Sequence, residues 1–240
     1  MGAGGVIVPP KGYYEKIQVV LKKYDMLFCA DEVINGFGRT GNVWGCQTMN
    51  IKPDILTCAK ALSASFLPIS AVLINEKVYQ ALKTESAKIG TFGHGFTYSG
   101  HPVAAAVAME TQKIYDEIDM FGHAKRMSPA FGKHIQSFAD HPLVGEAMSV
   151  GMVGALEIVA NKKTKAPFDI GGVAGAAGTR VANNAQARGL LVRNMGDRIA
   201  VCAGVLDQPT GLRTTVAVWM AQHGDYHTPE PGVAEYDFGD

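Results

Sequence analysis

DILTCAKALSASFLPISAVL, residues 54–73, is the stretch whose reading decides the fold. Asp54–Ala59 is a short continuous apolar run, the pattern of a strand buried in a parallel sheet, and Ile69–Leu73 reads the same way. Upstream, Met26–Ala30 (MLFCA) is a third such run and ends in Asp31 and Glu32. Between these runs Gly36, Gly38 and Gly41, then Pro68, supply the turns. Apolar positions at Tyr13, Ile17, Val20, Leu21 and Tyr24 place one face of a helix over residues 12–24. Downstream, His101–Asp119 is the clearest helix in the chain, with Pro102 at its start and an alanine-rich body. A second helical stretch continues to about Phe138. Strands alternating with helices predict an α/β large domain.

From Leu143 the texture changes to short strands, of which Met152–Val159 is the best formed. A small-residue helix is expected at about 173–188, followed by a strand at Leu190–Arg193. These predict a smaller α+β domain, with the boundary placed between residues 118 and 119. After Cys202 the chain is rich in breakers. Its last twenty residues show no helical or strand period, so the tail beyond about 203 is expected to be poorly folded.

Bulk properties exclude several function classes. Twenty-two basic residues balance 22 acidic ones, and no long basic run occurs, which speaks against a dedicated nucleic-acid or membrane-surface binder. No apolar run is long enough to span a bilayer, and GAGGVIVPP lacks the features of a signal peptide. The four cysteines, Cys29, Cys46, Cys58 and Cys202, have no CxxC spacing and no paired histidines nearby, so no metal site is expected. Cys29 and Cys58 lie in apolar runs and are expected to be buried and reduced. The expected location is cytoplasmic.

Four positions carry chemistry. Lys60 ends an apolar run among alanine, serine and cysteine, and a lysine desolvated in such a pocket becomes a nucleophile toward an aldehyde. A strand-end lysine reaching into solvent fits the same window. Asp31 closes an apolar strand on the side where α/β sheets bind ligands, so its carboxylate is placed to hold a proton on a heteroaromatic nitrogen. A capping or turn acid is the plainer alternative. Gly93–Pro102 (GHGFTYSGHP) runs straight into a helix, so the hydroxyls of Thr97, Tyr98 and Ser99 sit near a positive helix end. An ordinary glycine loop competes with that view. Arg193 ends the run GLLVR, where a guanidinium is able to clamp a carboxylate. Gly36–Gly41 matches GxGxxG, but the preceding strand ends too early and no clean helix follows, so it is read as a turn-rich loop.

Taken in order, GAGGVIVPPKGYY, ADEVINGFGRTG, DILTCAKALSASFLPISAVL and GTFGHGFTYSGHPVAAAVA resemble class III pyridoxal-phosphate transaminases almost without gaps, over residues 1 to about 202. The resemblance implies part of the fold-type-I large domain, a mostly parallel sheet with helices on both faces, plus the small C-terminal domain. It implies pyridoxal 5'-phosphate as cofactor, an amine or omega-amino acid and a keto acid such as pyruvate as substrates, and a homodimer. By the same resemblance Lys60 carries the cofactor covalently and shuttles the proton. Asp31 pairs with the ring nitrogen, and Val33 packs on one ring face. Thr97, with Phe96 beside it, binds the cofactor phosphate across the dimer interface. Arg193 is similar to the mobile arginine that takes the substrate carboxylate. HGFTYSGHP is closest to the amine:pyruvate and omega-amino acid subgroup. An aminomutase or decarboxylase of the same family, and a fragment without turnover, stay open as alternatives.

The chain also departs from the family. The glycine- and serine-rich phosphate loop and the aromatic residue of the other ring face, both in the family's N-terminal half, have no counterpart here. Met148-Ser149 stand where the family has Arg-Gly. After Cys202 the likeness stops, where the family continues with a Pro-Pro turn and a terminal helix. A truncated and then frameshifted reading frame is the expectation, and with it a 240-residue chain inactive alone.

Overall fold

A computed structural model describes residues 1–2, 4–190, 192–196, 198–202, 216–218 and 234–236. The chain divides into two compact units, residues 1–136 with 148–153, and residues 137–147 with 154–240. The boundary expected at 118/119 lies one helix upstream of that division.

In the first unit, helix α1 (Tyr13–Lys23) leads to strand β1 (Cys29–Asp31), the four-residue helix α2 (Gly45–Thr48) and strand β2 (Ile55–Cys58). A 3-10 turn, Lys60–Leu62, separates β2 from strand β3 (Ala71–Ile74). Helices α3 (Glu76–Ile89), α4 (Pro102–Glu117) and α5 (Met120–Gln136) follow. The sheet order is β1-β2-β3. β1 runs parallel to β2, with Asp31 opposite Thr57. β3 runs antiparallel to β2, with Thr57 opposite Val72. This corrects the expectation that Ile69–Leu73 is a parallel strand. Residues 59–70 hold no crossover helix, and without one the chain returns antiparallel.

Alternation along the strands divides the sheet into two faces. Ala30, Leu56 and Cys58 are buried, and Leu56 and Cys58 form a core with Phe37 and Cys46. Trp44, Leu62, Tyr115 and Phe121 pack against that core. The opposite face carries Cys29, Asp31, Ile55, Thr57, Val72 and Ile74, of which Val72 is 64% exposed. Cys29 is exposed, contrary to expectation, because it lies on this second face, whereas Cys58 is buried as expected. Met26 and Leu27 lie before the strand and are also exposed.

The helices follow their local signals. Pro102 stands at the first position of α4, where its missing N–H costs nothing, and Ala104, Ala108 and Thr111 form its buried stripe. α3 was not anticipated, although its ends are clear. The Asn75 side chain accepts the Val78 N–H at 3.0 Å, and Gly90 closes the helix at φ 76°. Phe131 and Ile135 are the buried residues of α5.

The second unit is built on strands β4 (Val144–Val150) and β5 (Val153–Ile158), helix α6 (Ala176–Gln186), and strands β6 (Val192–Met195) and β7 (Arg198–Cys202). Met148–Val153, the tip between β4 and β5, belongs to the first unit. The sheet order is β4-β5-β7-β6, with β6 antiparallel to β7. Val144, Ile158, Ala182 and Ile199 form its core. Two further strands, β8 (Val216–Val218) and β9 (Ala234–Tyr236), pair parallel to each other. β9 lies within the last twenty residues, which the sequence reading left without a strand. The rest of the tail from 203 lies outside the described residues.

Candidate active site

The carboxyl ends of β1 and β2 sit side by side, and they present the two residues of greatest chemical interest. Asp31 is the last residue of β1 and Lys60 follows β2 by two residues. Because Asp31 pairs with Thr57, strand spacing and chain reach put the Cα atoms of Asp31 and Lys60 at most about 15 Å apart. The Val33 N–H donates to Asp31 Oδ1 at 3.0 Å, which orients the carboxylate. Asp31 and Lys60 are both exposed. Of the two readings its window allowed, Lys60 follows that of a strand-end lysine reaching into solvent and not that of a desolvated one. The small residues after it lie toward the core, where Ala61 and Leu62 are half-buried and Ser63 is buried.

The backbone at Lys60 is unusual. Its φ is +49°, in the left-handed region that a residue with a Cβ rarely occupies, and Ala64 (+49°) and Ser65 (+67°) share it. Such a conformation persists only where surrounding contacts enforce it. Here Ser63 Oγ donates to the Leu67 carbonyl at 2.6 Å, and the Ser63 N–H donates to the Lys60 carbonyl at 3.2 Å.

Beneath Asp31 lies a residue the sequence reading passed over. Glu32 is 3% exposed and accepts the N–H groups of Gly45 at 2.8 Å and Cys46 at 2.6 Å. It ties the loop of residues 33–44 to the end of β1. Asp31 and Glu32 point to opposite sides, as strand alternation requires. That was the available signal, since Glu32 continues the buried side of Ala30.

The Gly36–Gly41 loop is a succession of turns, as read, and it holds no helix-capped ligand site. Phe37 adopts φ +57° and its ring lies 4.9 Å from that of Trp44. A Cβ at Gly36 would meet Trp44 at 2.9 Å, which accounts for the glycine. Burial, then the Glu32 carboxylate, pushes the Cys46 thiol above its ordinary range. Burial does the same to Cys58, against a hydrogen bond from the Ala71 backbone. Among the described residues no three His, Cys, Asp or Glu side chains come together to hold a metal ion.

Phe96 and Thr97 stand in the exposed loop before α4. The Phe96 N–H donates to Ser99 Oγ at 2.9 Å. Phe96, Tyr98, Ser99 and His101 line a groove of about 660 Å³ with Pro68–Ser70. The structure brings this loop to the segment before β3, and no described contact joins it to Asp31 or Lys60. Arg193 stands on β6 opposite Ala200. Its side chain is not among those described.

The residues present suit an aldehyde-bearing, ring-nitrogen cofactor such as pyridoxal 5'-phosphate. The site offers an exposed amine at Lys60 and, on the adjacent strand end, a carboxylate with one oxygen already oriented by Val33. Among the described residues no ion pair occupies either group.

Comparison with known proteins gives a consistent result. The model of the family described as "Aminotransferase class-III" matches residues 1–206. Gamma-aminobutyrate transaminase 1, mitochondrial, of Oryza sativa subsp. indica is 44% identical over 223 residues, covering 91% of this chain and 42% of the relative. Gamma aminobutyrate transaminase 3, chloroplastic, of Solanum lycopersicum is 48% identical over 203 residues, covering 83% and 38%. Among solved structures, a transaminase with L-alanine superposes with a TM-score of 0.82 at 51% identity, covering 87% of this chain and 48% of that one. The omega transaminase from Pseudomonas jessenii in complex with PMP gives 0.82 at 48% identity, covering 87% and 46%. The chain therefore spans less than half the length of these relatives. No helix among the described residues is long and apolar enough to cross a membrane.

Proposed function

Because this chain belongs to the class-III aminotransferases, whose fold is that of the fold-type-I pyridoxal-phosphate enzymes, we propose that the protein transfers an amino group from an amine or omega-amino acid to a keto acid. The observation that carries this is the pairing of Asp31 and Lys60 at the carboxyl ends of two adjacent parallel strands. The proposed donors are omega-amino acids such as gamma-aminobutyrate, in keeping with the names of the relatives, or simple amines. The proposed acceptor is pyruvate.

When bound, pyridoxal 5'-phosphate supplies an aldehyde that takes up an amine and a protonated ring that withdraws electrons from the substrate carbon. Every other task falls to the protein. Lys60 Nζ would hold the aldehyde carbon covalently and, once released by an incoming amine, would move the proton from the substrate carbon to the aldehyde carbon on the other side of the shared nitrogen. Asp31 would keep the ring nitrogen protonated, with its Oδ1 held by the Val33 N–H. Val33 would pack against the ring, and Arg193 would bind the carboxylate of the amino- or keto-acid substrate. Phe96 and Thr97 would serve the phosphate held by the second subunit of a homodimer, in keeping with their place on an exposed loop.

In this proposal residues 1–118 are the part of the large domain that binds the cofactor, and residues 119–240 the small domain. α5 is the element whose membership differs from the compact division after Gln136. The proposed location is the cytoplasm, supported by the free thiols of Cys29, Cys46 and Cys58. Fractionation of the source cells tests it, and recovery from an organelle, as the names of the plant relatives suggest for those proteins, would refute it. The activity is tested by alanine formation from pyruvate with gamma-aminobutyrate or an arylalkyl amine as donor, in a form extended to the length of the relatives; the 240 residues alone are expected to give none. Turnover that survives Lys60→Ala would overturn the assignment.

A further inference from the structure

We propose that Tyr115 and Gln112 of α4 are positioning residues that set the direction of the Lys60 amine, an inference that rests on the aminotransferase reading. Lys60 opens a 3-10 turn immediately after β2, at φ +49°. The direction of a side chain follows from the backbone angles of its own residue, so whatever holds this strained turn also aims the amine. Hydrogen bonds inside the segment contribute: Leu62 N–H to the Ala59 carbonyl at 3.0 Å, and Phe66 N–H to the Ser63 carbonyl at 3.0 Å. Two others come from a different element. Tyr115 OH donates to the Ala61 carbonyl at 2.8 Å, and Gln112 Nε2 donates to the Leu62 carbonyl at 3.0 Å. They engage the two carbonyls that directly follow Lys60.

Several features suit α4 to that task. Tyr115 and Gln112 are three residues apart and so lie on one face of the helix. Thr111, beside Gln112, is buried, and the Tyr115 ring packs edge-on against Phe121 at 5.9 Å. The anchor is therefore part of the core. Burial pushes the Tyr115 phenol up, opposed by Arg39, and a phenol held in that direction stays a hydrogen donor throughout the working pH range. Without these donors the Ala61 and Leu62 carbonyls lose their partners, and the left-handed residue relaxes toward ordinary backbone angles. The amine then swings away from the end of β1, where Asp31 stands.

The test uses Tyr115→Phe, which keeps the ring and removes the hydroxyl, and Gln112→Leu as a second variant. Amide hydrogen exchange of residues 59–67 is measured first, without cofactor. Pyridoxal 5'-phosphate is then added, the product is reduced with borohydride, and the labelled lysines are mapped. In wild type Lys60 takes the largest share of label. In each variant exchange of the 59–67 peptide rises about fivefold and the label on Lys60 falls about fivefold, while the labelling of other lysines is unchanged and the melting temperature falls by only about 2–4 °C. Faster exchange with an unchanged share on Lys60 would show an anchor that aims nothing, and overturns the inference. A fall in melting temperature with an equal loss of label at every lysine points to general destabilisation and overturns it too. If wild type itself shows no preference for Lys60, the aminotransferase reading fails and takes this inference with it, a result distinct from both others.

Discussion

Replacing Glu32 with alanine should destabilise the first unit by about 2–4 kcal/mol. The side chain is 3% exposed and accepts two backbone N–H groups, from Gly45 at 2.8 Å and Cys46 at 2.6 Å. Each is a hydrogen bond to a charged acceptor, a class worth about 1.5–3 kcal/mol, and its loss leaves a buried donor without a partner. Against this, the substitution removes a carboxylate that was costly to bury, which brings the net effect from a summed range of about 3–6 kcal/mol down to about 2–4 kcal/mol. Urea unfolding followed by Trp44 fluorescence reads the change, because Trp44 adjoins Gly45 and packs 4.9 Å from Phe37. At a slope of about 2 kcal/mol per molar urea the midpoint falls by about 1–2 M. Glu32→Gln retains one acceptor and faces the second N–H with an amide, so about half the shift is expected. A midpoint for Glu32→Ala within about 0.3 M of wild type would refute the reasoning and show that the loop is held by other contacts.

Three further outcomes are expected. Asp31→Ala should slow the amine half-reaction about a thousandfold while leaving the unfolding midpoint nearly unchanged, because the carboxylate is exposed and serves the ring nitrogen; a near-wild-type single-turnover rate would make Asp31 a mere turn acid. Arg193→Ala should raise the apparent KM for pyruvate about tenfold or more and that for an arylalkyl amine far less, since only the acid has a carboxylate to clamp; equal losses would remove the clamp. Burial raises the Cys46 and Cys58 thiols whereas Cys29 is exposed, so iodoacetamide at pH 8 should alkylate Cys29 about tenfold faster. Raised thiols bind their protons more tightly in the folded chain. The stability they contribute is complete below about pH 8.5 and is lost as pH rises through the folded values, so the urea midpoint should decline in alkali.

Most of what was legible in the sequence lay in continuous apolar runs and in breakers. β2 and β5 were read nearly to the residue because their runs are unbroken, and α4 because Pro102 and the alanines leave no other choice. β3 was found but given the wrong direction. Its apolar run carries no sign of orientation, and only the lack of a crossover helix in residues 59–70 decides it. α3 was missed although Asn75 and Gly90 mark both of its ends. At the site, Asp31 was visible as the acid closing a strand, while Glu32, its buried neighbour, was overlooked because the pair was taken as one polar ending. The exposure of Lys60 was one of the two readings its window allowed, whereas its φ of +49° is announced by no residue pattern. Phe96 came from resemblance alone, and Thr97 and Arg193 were candidates that only the resemblance singled out. A glycine loop and a strand-end arginine have too many ordinary uses for their own windows to single them out.

The central claim is that Lys60 is the residue that carries the cofactor. Incubating the protein with pyridoxal 5'-phosphate, reducing with borohydride and mapping the peptides by mass tests it most directly. The account predicts a phosphopyridoxyl group on Lys60, within the peptide that contains residues 54–73, and loss of that modification in Asp31→Ala at limiting cofactor. Label concentrated on Lys52, or spread evenly over the exposed lysines with Lys60 no different from the rest, would contradict it.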